Sequence, residues 1–387
     1  MVSPVPSYRL PIVEETEPGA TCASRARISK VRHRLTAKTR QDSDNRMTTG
    51  GVGLQYADRV LVSTDLSNPS RTHRETSRGL NPPLVSILIN SYNYARFLAE
   101  AIRSALAKNY QKLEIIVVDD GSTDDSLQIA QSFGDRIHLV SKQNEGQASA
   151  FNAGFAASHG EIICLLDADD VFLSHKVERI VEVFREDPES GWCFENLKLF
   201  SHSLYDRVPR NRYFDAGRVD ARLSMLRGGV FPKNIESATS GLSFRRELLA
   251  RILPMPHARS IHLCDDYVKT ACYALSAGLA LDEELSLQRL HESNLYTNTG
   301  TRDRRLTGHM NLLMGIYLQR QFPECLKPGM KMLCRGCAIL TVFGGWLPWY
   351  PPEIGKNLRI MGPKLALQSI ARTSALVVLE ALHLSRR

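Results

Sequence analysis

Three carboxylates fall within four positions at the end of Glu161 to Asp170, EIICLLDADD, directly behind a short apolar run. Ile162, Ile163, Leu165 and Leu166 around Cys164 form an unbroken apolar stretch. A run that short and rich in β-branched residues suits a strand buried on both faces of a parallel sheet. Charge does not belong inside such a strand, so Asp167, Asp169 and Asp170 are expected at its C-terminal edge, where open α/β sheets bind ligands. Two carboxylates in an Asp-x-Asp corner repel each other unless a cation sits between them, so Mn²⁺ or Mg²⁺ suits this corner. The competing reading is an Asp-rich turn that caps a helix over Ser174 to Arg185. A second acidic pair, Asp119 and Asp120, closes the apolar run LEIIVVDD. A third, Asp265 and Asp266, precedes a helical pattern with Val268, Ala271, Cys272 and Leu275 on one side. Those two could instead merely favour the positive end of that helix.

The surrounding pattern supplies elements to hold these groups. LVSILIN, Leu84 to Asn90, reads as a buried strand, followed by the polar loop Ser91 to Tyr94. Phe97, Leu98, Ile102, Ala105 and Leu106 then recur at helical spacing. After Asp120, Gly121 makes a turn, and Ser122 or Thr123 is expected to cap a helix running to about Phe133. Ile137 to Val140 reads as a third strand, and Gln147 to Ser158 as a small-residue helix ending at Gly160. Strands alternating with helices across short loops predict an α/β fold, a doubly wound and mostly parallel sheet with helices on both faces.

Charge divides the 387-residue chain into three. Residues 1–80 carry 13 Lys+Arg against 8 Asp+Glu and have no apolar periodicity, which predicts a disordered basic N-terminal segment. Residues 81–300 carry 23 against 29, and residues 301–387 carry 13 against 4. The acidic middle excludes nucleic-acid binding by the core, although the whole chain is basic at net +8. Eight scattered cysteines fit buried thiols in a reducing compartment better than disulfides. Cys334 and Cys337 lack the second pair a zinc site would need. No secretory leader pattern opens the chain. The uncharged run Gly336 to Pro352 is broken by glycine and proline and is shorter than the ~20 residues a spanning helix needs. A cytoplasmic protein is expected. From about residue 302 the chain reads as a basic helical extension containing Phe343, Trp346, Trp349 and Tyr350, packed or peripheral at the inner face of an anionic membrane.

In order along the chain, ILINSYNYARFLAEAIRSAL, EIIVVDDGSTDDS and NEGQASAFNAGFAASHGEIICLLDADD resemble the donor-binding half of family 2 glycosyltransferases, which are inverting enzymes of GT-A fold. The resemblance is close from Leu84 to about Phe200 and looser to about Asn298. It implies a donor half over 84–200 and an acceptor half over 201–300. It implies transfer of a sugar from a nucleotide diphosphate sugar, UDP or dTDP favoured, to a hydroxyl of a glycan or lipid-linked acceptor in cell-surface polysaccharide synthesis. By resemblance, Asp119 or Asp120 reads the nucleobase, with Asp120 preferred, and Ser91, Tyr92 and Asn93 line the same pocket. Asn144, Gln147 and Asn152 contact the donor, although Phe151 stands where many relatives have Arg. Asp167 and Asp169 hold the divalent metal, Asp170 contacts sugar or braces the loop, and His291 approaches the metal or diphosphate. Ser237 to Leu249 resembles the acceptor loop, and Asp265–Asp266 the catalytic pair, with Asp266 as base and Asp265 orienting it. The rival readings are a sugar nucleotidyltransferase and a non-catalytic glycan-binding protein on a transferase fold.

Overall fold

The computed structural model describes residues 81–201, 214–235, 237–256, 265–291, 304–347 and 350–385. The disorder expected over residues 1–80 lies outside them, as do Cys264 and Trp349. The chain alternates from the first described element: β1 Val85–Ser91, α1 Ala95–Leu106, β2 Leu113–Asp119, α2 Ser126–Gln131, β3 His138–Ser141, α3 Gln147–Ala157 and β4 Ile162–Asp167. These strands run parallel in the order β3-β2-β1-β4. Their register sets Ser91 beside Asp119, Asn90 beside Asp167, and Asp119 beside Ser141, so their carboxyl ends share one edge.

Beyond β4 the sheet becomes mixed. The short β5 Val171–Phe172 and α4 Lys176–Glu186 lead into β6 Trp192–Phe200, then β7 Gly217–Val219, α5 Arg222–Gly228, β8 Leu242–Arg245, α6 Arg246–Ile252, α7 Asp265–Leu275 and the long β9 Gly278–Arg289. Strand β8 is antiparallel to both β4 and β6, whereas β6 and β9 are parallel. The full order is β3-β2-β1-β4-β8-β6-β9-β5, with β7 on β9.

Both faces of the sheet are covered because the central strands place apolar side chains on both sides. Ile87, Ile89, Val117, Cys164 and Leu166 face α1 and α4 in one buried layer. Leu88, Ile116, Val118, Ile163 and Leu165 join Trp192, Phe194 and Phe244 in the other. Each such aliphatic side chain contributes about 1.5–3 kcal/mol when fully buried.

That second layer also takes in Met310, Leu312, Leu313, Leu333, Cys337 and Leu340 from α8 Arg304–Gln321 and α9 Leu326–Phe343. The two C-terminal helices therefore share a core with the sheet. Gly336 brings them close, since a Cβ there would collide with the Leu312 backbone. Tyr350, expected in a membrane-facing aromatic cluster, is fully buried and bonded to His309, because its ring closes this same core. Helix α10, Tyr350–Ser385, leaves a long face uncovered; it is broken at Gly362 (φ 74°), next to Pro363.

Two expected element starts shift. Helix α2 begins at Ser126, because Ser122 and Thr123 bond across to Asn93 instead of capping it. Helix α4 begins at Lys176 and not Ser174.

Candidate active site

The edge shared by β1, β2 and β4 collects the acidic residues. Asp167, Asp169 and Asp170 each offer a carboxylate oxygen within 4.8 Å of the others. Hard oxygen donors this close fit a divalent cation of the Mg²⁺ or Mn²⁺ type. Burial first, then mutual repulsion, holds the Asp167 carboxyl well above the ordinary carboxylate range, and pushes Asp170 up to about 8.

The three residues are not equivalent. Asp170 is anchored through both oxygens: Oδ1 accepts the Arg289 N–H at 2.9 Å and Oδ2 the Ser240 hydroxyl at 2.6 Å. Asp169 faces His291, whose Nε2 lies 2.8 Å from its Oδ2. The His291 ring packs against Phe97 at 4.6 Å between centroids, with its Nε2 turned to Asp169. Arg289 donates from Nε to the Asp169 carbonyl and from Nη2 to Glu100.

Beneath this loop lies a group the sequence does not reveal. Lys176, fully buried, donates to Glu195 Oε1 at 2.9 Å, Ser286 Oγ at 2.9 Å and the Ser240 carbonyl at 2.7 Å. Ser240 in turn accepts the Asp167 N–H at 3.0 Å while donating to Asp170. A lysine at a helix start reads as solvated surface, and only the packing of α4 against Phe172 of β5, Glu195 of β6, Ser286 of β9 and the Ser240 turn buries it. The Ser237–Gly241 stretch, expected as an acceptor loop, is thus also the support of the acidic cluster. The Ser237 carbonyl continues the chain, accepting Lys269 Nζ at 3.1 Å.

Lys269 bridges the other acidic pair, 3.1 Å from Asp265 Oδ2 and 3.0 Å from Asp266 Oδ1. Asp265 is buried and accepts the Asp266 N–H; its carboxyl is raised by burial, against the pull of Lys269. Asp266 is half exposed. Through Ser240 on one side and Ser237 on the other, the Ser237–Gly241 stretch joins the two acidic groups, and the Asp265 charge adds to the repulsion on Asp167.

On the other side of the acidic loop, Asp119 and Asp120 divide their tasks. Asp120 accepts Lys142 Nζ at 2.7 Å, the Glu145 N–H at 3.2 Å and the Gly146 N–H at 2.8 Å. Asp119 Oδ2 accepts the Ser122 N–H, while its Oδ1, the Ser91 hydroxyl and both polar atoms of the Asn90 amide are buried with no hydrogen-bond partner. Orphaned buried polar groups are rare and call for a ligand or water. Asn90 is the residue the sequence reading passed over, since it ends an apolar strand without a motif of its own. Tyr92 is exposed, and Asn144 and Gln147 are half buried at the start of α3.

Asn93 and Asn152 are each tied to a neighbouring segment. The Asn93 side-chain oxygen latches the loop after β2, accepting the Thr123 N–H at 2.7 Å, so only its amide nitrogen remains for a ligand. Asn152 is corrected to a brace: its amide pairs with both the N–H and the carbonyl of Met255, at 2.8 and 2.7 Å. Phe151, at the position of the missing Arg, is buried in the core.

Residues 86–252, spanning β1 to α6 and the acidic cluster, match the model of glycosyl transferase family 2. The chain carries a family 2 glycosyltransferase domain. An uncharacterised glycosyltransferase of Nostoc sp. is 36% identical over 219 residues, covering 54% of this chain and 66% of that protein. The glycosyltransferase GlyG of Streptococcus pneumoniae is 31% identical over 135 residues, 34% of this chain and 43% of its own length. The chain thus spans less than two thirds of these relatives. TarS 1–349 of S. aureus, solved with UDP-GlcNAc, superposes with a TM-score of 0.54 at 15% identity, covering 78% of this chain and 92% of that one. The family 2 domain therefore has a GT-A fold, and α8 and α9 extend its core.

Proposed function

We propose that the chain is an inverting, metal-dependent glycosyltransferase that moves a sugar from a nucleotide diphosphate donor to a hydroxyl of a glycan or lipid-linked acceptor in the cytoplasm. The observation that carries this reading is the meeting of two unlike acidic groups in one site. Asp167, Asp169 and Asp170 are crowded, the last two buried and the first partly so, while Asp265 and Asp266 are held by Lys269.

Asp167 and Asp169 would hold a divalent cation, with Asp170 and His291 fixing their orientation. That ion, when bound, offsets the charge that develops on the departing diphosphate. The Asp119–Asp120 pair would take the ring N–H of uracil or thymine. Asp120 has one accepting position left beyond its three donors, and Asp119 has an open oxygen. Ser91 and the Asn90 amide supply further hydrogen bonds at the same edge. Asp266, the more exposed of its pair, faces the acceptor side and takes the hydroxyl proton as the sugar is displaced, while Asp265 and Lys269 keep it in place. A carboxylate committed to a cation is a poor base, so Asp167 and Asp169 do not compete for that proton.

The test is a thermal-shift panel of UDP-, dTDP- and GDP-sugars in the presence of Mn²⁺. The matching donor at ~100 times its dissociation constant adds about 2.7 kcal/mol of stability. UDP or dTDP sugars are expected to shift the midpoint most, and Asp120→Ala or Asp119→Ala to reduce the shift. No shift with any nucleotide sugar would remove the transferase reading.

A further inference from the structure

The broken helix α10 carries a surface that the catalytic reading leaves unused. Beyond Gly362 and Pro363, Leu367 (69% exposed), Ile370, Val378, Leu379 and Leu382 are each half exposed or more. With exposed Ala371 and Ala375 between them, they recur at spacings of three and four and form one apolar stripe several turns long. The opposite face is occupied. Met361 packs with Met330 and Cys334 of α9, Leu365 and Leu376 lie against the same cluster, and Glu380 reaches Arg304 of α8 at 3.4 Å. By length and composition Tyr350–Leu382 could cross a bilayer, yet its packed face and the ion pair at Glu380 hold it along the domain.

The rim of the stripe is basic. Among the described residues, Arg359, Lys364 and Arg372 have no acidic partner, and all three are exposed. The Lys331 ammonium of α9 is pushed down first by burial and then by the nearby Arg372 charge. Two cations crowded together without a counterion beside an apolar stripe suit a surface that is anionic above and apolar beneath. A second copy of the chain would bring like charge to like charge.

We propose that residues 363–382 lie in the plane of an anionic bilayer, with Leu367, Ile370, Val378 and Leu382 in its acyl boundary and Lys364 and Arg372 among its phosphates. An apolar face with cationic flanks binds such an interface through buried area together with charge attraction. The contact is confined to this one face of α10. It leaves out α8, α9 and the buried Tyr350, and so narrows the membrane-facing extension expected from composition. It stands independently of the chemistry at the acidic site.

The full chain is tested by co-sedimentation with vesicles of phosphatidylglycerol mixed into phosphatidylcholine, and with phosphatidylcholine alone. Sedimentation with the anionic vesicles is expected, weakening as salt screens charge beyond ~10 Å at 0.1 M. Replacing three exposed side chains together, Leu367→Ser, Ile370→Ser and Val378→Ser, should lower binding about tenfold or more with an unchanged thermal midpoint. Lys364→Gln with Arg372→Gln should weaken binding and flatten its salt dependence. Wild-type sedimentation by the triple variant would overturn the proposal, as would indifference of the native chain to both vesicles. A concentration-dependent dimer abolished by the triple variant, without vesicle binding, would assign the stripe to a second copy. Resistance to alkaline carbonate extraction from cells would mean that the helix spans.

Discussion

The acidic loop after β4 and the acidic start of α7 both bring carboxylates into one site, yet their surroundings differ in sign. Asp167, Asp169 and Asp170 sit against one another; Asp169 faces His291, and Arg289 bonds to the Asp169 carbonyl and, through its N–H, to Asp170. Asp265 and Asp266 share Lys269, an ammonium within 3.1 Å of both. Crowding of carboxylates stores repulsion that a bound divalent ion relieves. Pairing with Lys269 instead supplies the counter-charge from within the fold and fixes where the two carboxylates point. The same residue type is thereby prepared for two tasks by what packs beside it.

The sharpest way to break this division is to remove one member from each side. Asp169→Ala is expected to lower sugar transfer by about 10³-fold or more, the order of several kcal/mol of lost Lewis-acid stabilisation, and to abolish Mn²⁺ binding followed by electron paramagnetic resonance. Asp266→Asn should lower transfer by about 10²–10⁴-fold, the usual contribution of a general base, with Mn²⁺ and UDP affinity nearly unchanged. If Asp266→Asn weakens Mn²⁺ as much as Asp169→Ala does, the two groups are not separate in function.

The support shared by both groups can be tested next. Lys176→Met leaves Glu195 as an unpaired buried charge beneath Ser240, and is expected to cost about 3–5 kcal/mol of stability in denaturant unfolding. Because Ser240 and Ser237 tie this pair to both acidic groups, the surviving folded fraction should show weakened Mn²⁺ binding as well. Undiminished stability would place Lys176 outside the support.

A smaller effect comes from pH. Asp170 is pushed up to about 8 by burial and by Asp169, whereas in the unfolded chain it titrates in the ordinary carboxylate range near ~4. Its raised folded-state pKa contributes stability that is fully present below about pH 4 and is lost as pH rises towards about 8. With chelator present, the thermal midpoint should therefore fall across that window. Saturating Mn²⁺ should flatten the slope, because the cation favours the ionised carboxylates. A midpoint that rises with pH in chelator would contradict the crowded description of the loop.

The strands and their carboxylate ends were legible in the chain because both signals are local. A buried parallel strand needs only an unbroken apolar run, and Asp119, Asp120 and Asp167 stand at its end because charge cannot enter it. The helices α1 and α3 followed equally from spacing and small residues. What the sequence could not give was the partner of each polar group, since partners lie as far as 189 residues away, as Arg289 does from Glu100. Asn152 looked like a donor contact until Met255 took both of its polar atoms. Lys176, at a helix start, carries no mark in the sequence of the elements that bury it, and Asn90 none of an amide left buried without a partner. The C-terminal helices divide in the same way. Their apolar periodicity was written in the chain, but burial is a property of neighbours. Only the packed structure decided that α8 and α9 complete the core while one face of α10 remains uncovered.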